Sequence, residues 1–120
     1  MPIRDNIFVT PVSAGIAPTT VLAFSAITGV VNSIETTIVT FTALADETIG
    51  DIFVGGTSYA RFNIYLNTTL QFVVRTGPER FKDVFGGRPL QLETGDVIDV
   101  KVIHEHTDDT DDFESTILGV

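Results

Sequence analysis

At 120 residues the chain has room for one domain built around one core, and its 43% hydrophobic content argues for a folded protein. Cysteine is absent, which excludes a disulfide scaffold and a thiolate zinc site. The formal net charge is −9 and the 7 basic residues are scattered, so a nucleic-acid surface is not expected.

No span reaches the roughly 18 continuous apolar residues of a membrane helix. Neither a membrane segment nor a signal peptide is therefore expected. The acidity would favour a basic protein partner.

The first 30 residues, MPIRDNIFVTPVSAGIAPTTVLAFSAITGV, carry only Arg4 and Asp5 as charges and are broken by Pro2, Pro11 and Pro18. No helical period persists. The composition predicts an extended N-terminal arm over 1–30, with strand character at Thr20–Ile27, followed by a sandwich domain over 31–120. Fully extended, such an arm spans about 100 Å, against a domain radius of about 14 Å. It is long enough to cross onto a neighbour. Its apolar side chains gain by finding a surface, which makes Ile7, Phe8, Val9, Val21, Leu22 and Phe24 candidate contacts. The plainer alternative is a loose tail with one edge strand.

From Ile34 onward, strand follows strand. Glu35–Ala43 puts Val39, Phe41 and Ala43 on one face, with Thr36, Ile38, Thr40 and Thr42 on the other. Ile49–Val54 is a less regular strand that the Gly55-Gly56 pair would close as a turn. Tyr59–Leu66 alternates cleanly. Ala60, Phe62, Ile64 and Leu66 face inward, and Tyr59, Arg61, Asn63 and Tyr65 face outward. Asn67-Thr68 turns the chain into a hairpin whose second strand aims Leu70, Phe72 and Val74 inward.

Gly77-Pro78 and Gly86-Gly87 bracket a run with Phe81, Val84 and Phe85 at spacings of three and four. It suits one helical turn or a loop pinned by its aromatics, and Phe81 and Phe85 join the candidate contacts. The bland reading of this loop is a lid over one end of the core. A short strand is expected near Pro89–Leu92, a turn at Thr94-Gly95-Asp96, and a strand over Val97–His104 with Ile98, Val100 and Val102 inward. The last strand, Phe113–Leu118, places Phe113 and Ile117 inward around Ser115. About eight short strands without a crossover helix predict an all-β two-sheet sandwich or a small barrel.

The only dense ionisable stretch is HEHTDDTDDFES, His104 to Ser115. His104 and His106 share the parity of Val100 and Val102, so both rings could chelate zinc if Asp108 or Asp112 completed the site. Calcium suits oxygen ligands better, with Asp108, Asp109, Asp111 and Asp112 as candidates, although the glycine of a sharp EF-hand loop is missing. A Ser115–His104–Asp112 grouping lacks a nucleophile elbow. The reading that needs least is a solvated hairpin turn joining Val97–His104 to Phe113–Leu118, exposed because so many charges are costly to bury. No resident cofactor is expected beyond such an ion, and no enzyme activity. Tyr59 and Tyr65 form an outward pair suited to a carbohydrate or to a neighbouring subunit.

Five pieces then carry a resemblance. They are IETTIVTFT (Ile34–Thr42), Gly55–Gly56, ARFNIYLN (Ala60–Asn67), GRPLQLETGDVIDVKVIH (Gly87–His104) and DFESTILG (Asp112–Gly119). In this order they resemble small structural proteins of tailed-phage virions. The resemblance implies a jelly-roll-like β-sandwich on the virion, of the capsid decoration or cement type on the head exterior. It implies the major capsid protein as partner, self-association as a trimer at a three-fold position, and no catalytic residues. Other members of the group resemble tail or fibre parts that bind a host receptor or carbohydrate. The acidic run Thr107–Asp111 has no counterpart in it, so no metal is implied there.

Overall fold

The computed structural model describes residues 20–31, 33–85, 88–105 and 110–120. Among these residues there are nine strands: β1 Thr20–Val31, β2 Thr36–Thr42, β3 Glu47–Gly56, β4 Ala60–Leu66, β5 Thr69–Thr76, β6 Arg80–Asp83, β7 Leu90–Leu92, β8 Val97–His104 and β9 Thr110–Gly119. All pairings are antiparallel and they form two sheets. The first runs β1-β9-β3, with β6 and β7 end to end along the far edge of β3. The second runs β2-β8-β4-β5. The result is an all-β, sandwich-like architecture.

The expected arm therefore ends in sheet structure: β1 pairs with β9 from Thr20↔Gly119 to Val31↔Thr110. β8 is the plainest case of pattern becoming structure. Ile98, Val100, Val102 and His104 are buried while Val97, Asp99, Lys101 and Ile103 are half-exposed. Period-two alternation is what a strand with one covered face requires. β4, beside β8, meets β9 of the other sheet across the core. Phe62 and Phe113 meet edge to face, with ring centroids 5.9 Å apart at 79°. Each fully buried ring of this kind contributes roughly 1.5–3 kcal/mol by leaving water.

Bulges redirect several residues from their expected faces. Thr37 pairs with Lys101 but Val39 pairs with Val100, so Ile38 is an extra residue. It turns inward, and Ile38 and Val39 are both buried. On β5, Ile64 pairs with Phe72 but Tyr65 pairs with Leu70. The extra residue is Gln71, and Leu70 lands on the outer face, 47% exposed. Phe72 and Val74 do face inward, half-buried against the core.

Gly55-Gly56 is not a turn. Both residues lie inside β3, on opposite faces. A Cβ at Gly55 would strike the Phe81 ring and come within 2.6 Å of the Arg80 carbonyl oxygen. A Cβ at Gly56 would strike the Phe113 ring. The pair gives passage to one aromatic ring outside the sheet and one inside it. The run around Phe81 is likewise strand and not a helical turn, because β6 ladders onto Phe53–Gly56. Asp51 secures the segment just after β6: its Oδ1 accepts from the N–H groups of Ile52 (2.8 Å), Phe85 (3.0 Å) and Val84 (3.1 Å).

Candidate functional site

The acidic stretch is not a hairpin. β8 lies in the second sheet and β9 in the first, so the chain between them crosses from one sheet to the other. β9 starts at Thr110, which makes Asp111 and Asp112 strand residues. Adjacent on one strand, they point to opposite faces. Asp111 turns toward the core, where its Oδ2 lies 3.0 Å from Nε2 of the fully buried His104. Thr57 Oγ1 donates to Asp111 Oδ1 at 2.9 Å. The His104 ring also sits 5.8 Å from that of Phe113. The His104–Asp111 contact thus ties the two sheets together at one end of the sandwich.

Asp112 faces outward and its Oδ1 accepts from the Gly29 N–H at 3.3 Å. The four aspartates considered for calcium divide accordingly. Asp111 and Asp112 diverge, and Asp108 and Asp109 lie outside the described residues, as does His106. Among the described residues no group of three or more His, Asp or Glu side chains could hold a metal ion. Ser115 is sealed in the core at 1% exposure, and Asp112 faces away from both it and His104, so those three residues are not assembled.

The candidate partner contacts separate more sharply. Ile7, Phe8 and Val9 lie outside the described residues. Leu22 occupies a bulge and packs on the core. Phe85 is buried, with its ring 5.0 Å from that of Phe72. Val21, Phe24 and Phe81 point outward from the first sheet and are exposed. Phe53 joins them: register sets Phe24 beside Thr116 and Thr116 beside Phe53. Phe24 and Phe53 are therefore two strand spacings apart, about 10 Å. The Phe81 ring lies over Gly55 next to them. A shallow depression of about 290 Å³ adjoins the Phe81 ring, lined in part by Ala26, Thr28 and Glu114. Three exposed phenylalanines gathered on one sheet face are unlike singly scattered apolar residues, and such clusters mark interaction surfaces.

The outer face of the second sheet is different in kind. A groove of about 430 Å³ is lined by Glu35, Arg61, Asn63, Tyr65 and Arg75, with Leu70, Val73 and Ile103 as apolar walls. Glu35 Oε2 accepts from Asn63 Nδ2 at 2.9 Å and from the Tyr65 hydroxyl at 2.7 Å. These two bonds hold the Glu35 carboxyl below the usual carboxylate range, and the same bond to Glu35 raises the Tyr65 phenol. Lys101 Nζ stands 4.9 Å from the Tyr65 ring centroid. Arg61 and Arg75 are direct cross-strand partners. Arg75 Nε lies 3.4 Å from Glu105 Oε1, whereas Arg61 Nε is buried with no hydrogen-bond acceptor among the described residues. A buried donor left open costs roughly 1–3 kcal/mol.

The two tyrosines do not form a pair. Tyr65 is in the groove. Tyr59 precedes β4 with its ring against Gly77, six residues and about 20 Å away along the strand direction.

Two sets of residues escaped the sequence reading. Phe53 was hidden because its strand is too irregular for parity to be assigned. Glu35 precedes β2, and its approach to Asn63 depends on how β2 and β4 flank β8. Arg61 and Asn63 were legible as outward residues, but not as parts of one groove. Among the described residues no helix is long and apolar enough to cross a membrane. Compared with known proteins, the chain matches no protein-family model and no curated protein sequence.

Proposed function

We propose that this chain is a non-enzymatic structural protein of a tailed-phage virion, most simply a jelly-roll capsid decoration protein that binds the major capsid shell from outside. Strand order supports the jelly-roll reading. The sheets run 1-9-3-6 and 2-8-4-5, and the chain passes repeatedly from one sheet to the other. With β7 as an extra edge piece on the first sheet, this is the interlocked two-sheet order that recurs in viral capsid and lectin domains. Fold alone does not assign function. The observation that carries the reading is the exposed aromatic face of Phe24, Phe53 and Phe81. It gives a rigid, otherwise acidic sandwich one apolar surface for the shell or for sister subunits of a trimer. Many copies with modest contacts each then yield a large total hold.

Quantifying the chain by mass spectrometry in separated heads and tails tests this. A copy number that is a simple fraction of the shell protein, confined to heads, is expected. Phe24→Glu should abolish co-sedimentation with purified shells while leaving the fold intact. A few copies confined to tails would instead favour the second reading, a tail or fibre sandwich that binds a host receptor or carbohydrate. The groove around Tyr65 supports that second reading.

A further inference from the structure

We infer that the groove on the outer face of the second sheet binds an acidic saccharide, whose carboxylate sits against Arg61 and Arg75 and whose hydroxyls meet the Glu35–Asn63–Tyr65 network. The inference deepens the receptor reading and rests on it; it does not depend on the shell reading.

The charge arrangement is the first argument. Like charges directly opposite on neighbouring strands weaken a sheet, yet Arg61 and Arg75 are paired in this way. Glu105 offsets Arg75. Arg61 lines the groove with its Nε withdrawn from water and no acceptor among the described residues. A ligand carboxylate seated between them supplies both arginines with one shared counter-charge, of the kind a planar guanidinium fork recognises.

The second argument is the floor beside the arginines. Asn63 is buried, and Glu35 is held ionised and in place by Asn63 and Tyr65. A fixed carboxylate flanked by an amide and a phenol offers polar partners for sugar hydroxyls. Leu70, Val73 and Ile103 supply apolar contact for the C–H face of a ring. Lys101 already covers the Tyr65 ring, so recognition here is polar and does not use a stacking platform. A volume of about 430 Å³ falls in the range of small-molecule sites.

The test titrates the full chain with trigalacturonate and with sialyllactose, alongside galactotriose and lactose as neutral counterparts, by calorimetry and amide chemical shifts. The acidic sugars should bind, with shifts centred on Arg61, Asn63 and Tyr65, and binding should weaken as salt is raised. Arg61→Gln should weaken binding by about tenfold or more, the expected loss of a charged hydrogen bond. Arg75→Gln, at an exposed position, should weaken it several-fold; parent-like melting of each variant separates lost binding from lost fold. Equal binding of the neutral sugars would overturn the anion assignment and leave the receptor reading standing. Equal binding of acetate or of a glutamate-rich peptide would overturn the saccharide assignment. No binding of any sugar would overturn both.

Discussion

Phe62 and Phe72 both read as inward in the sequence, and the structure ranks them. Phe62 sits at the centre of β4, fully buried, with its ring edge-on to Phe113 at 5.9 Å. Removing such a ring costs about 3–5 kcal/mol, from lost transfer energy and from the cavity left behind. Phe72 lies on the edge strand β5, next to the Gln71 bulge, half-exposed and in contact with Phe85. Its neighbours can relax into the space, so Phe72→Ala should cost about half as much, roughly 1.5–2.5 kcal/mol. For a domain of this length the unfolding entropy near the midpoint is about 0.25 kcal/mol/K. Phe62→Ala should therefore lower Tm by roughly 12–20 °C and Phe72→Ala by roughly 6–10 °C. Calorimetric melting of the two variants beside the parent measures both. Equal shifts for the two, or a Phe62→Ala shift below about 3 °C, would refute the placement of the core.

Thr68 holds φ at 70° in the turn between β4 and β5, a conformation unfavourable for a β-branched residue. Thr68→Gly should stabilise by about 0.5–1 kcal/mol after the loss of unfolded-chain stiffness is counted, read as a higher denaturant midpoint. Gly56→Ala should destabilise by at least about 1–3 kcal/mol, because its Cβ collides with the Phe113 ring and must displace the core; a parent-like midpoint would contradict the packing. Burial pushes the Asp51 carboxyl up despite its bonds from the Phe85 and Ile52 N–H groups. The stability linked to a raised carboxyl is full in acid and is lost as pH rises through its folded value. Asp51→Asn, which keeps the acceptor, should therefore melt higher than the parent at pH 7, with the gap closing below the usual carboxylate range. Glu35 has the opposite sign: its carboxyl is lowered by Asn63 and Tyr65, so its contribution is present at neutral pH and is lost as pH falls through the folded value. Melting curves across pH should accordingly show Glu35→Gln less stable than the parent at pH 7 and equal to it in acid.

Strand identity was largely legible in the sequence because the covered faces alternate with period two. β8 and the Phe113–Ile117 part of β9 follow that pattern residue by residue, and β4 follows it from Ala60 to Phe62, with Asn63 buried where an exposed residue was expected. Legibility failed at Ile38 and Leu70, where one extra residue per bulge reverses parity. It failed again at Gly55-Gly56, since a glycine pair reads locally as a turn. Its reason for being glycine is the approach of rings from β6 and β9.

Alternation, β-branched content and the lack of any sustained helical period determined that this chain is all-β with an Ile- and Val-rich core. These are properties of residues close in the chain, which share a strand and alternate between its two faces. Which strands become neighbours was decided only by the tertiary structure. That pairing turned the expected hairpin after His104 into a crossing between sheets and joined His104 to Asp111. It also gathered Phe24, Phe53 and Phe81 on one outer face and Glu35, Arg61 and Tyr65 on the other. Such contacts connect residues distant in the chain, and their energy depends on burial and register across strands, which no local pattern encodes.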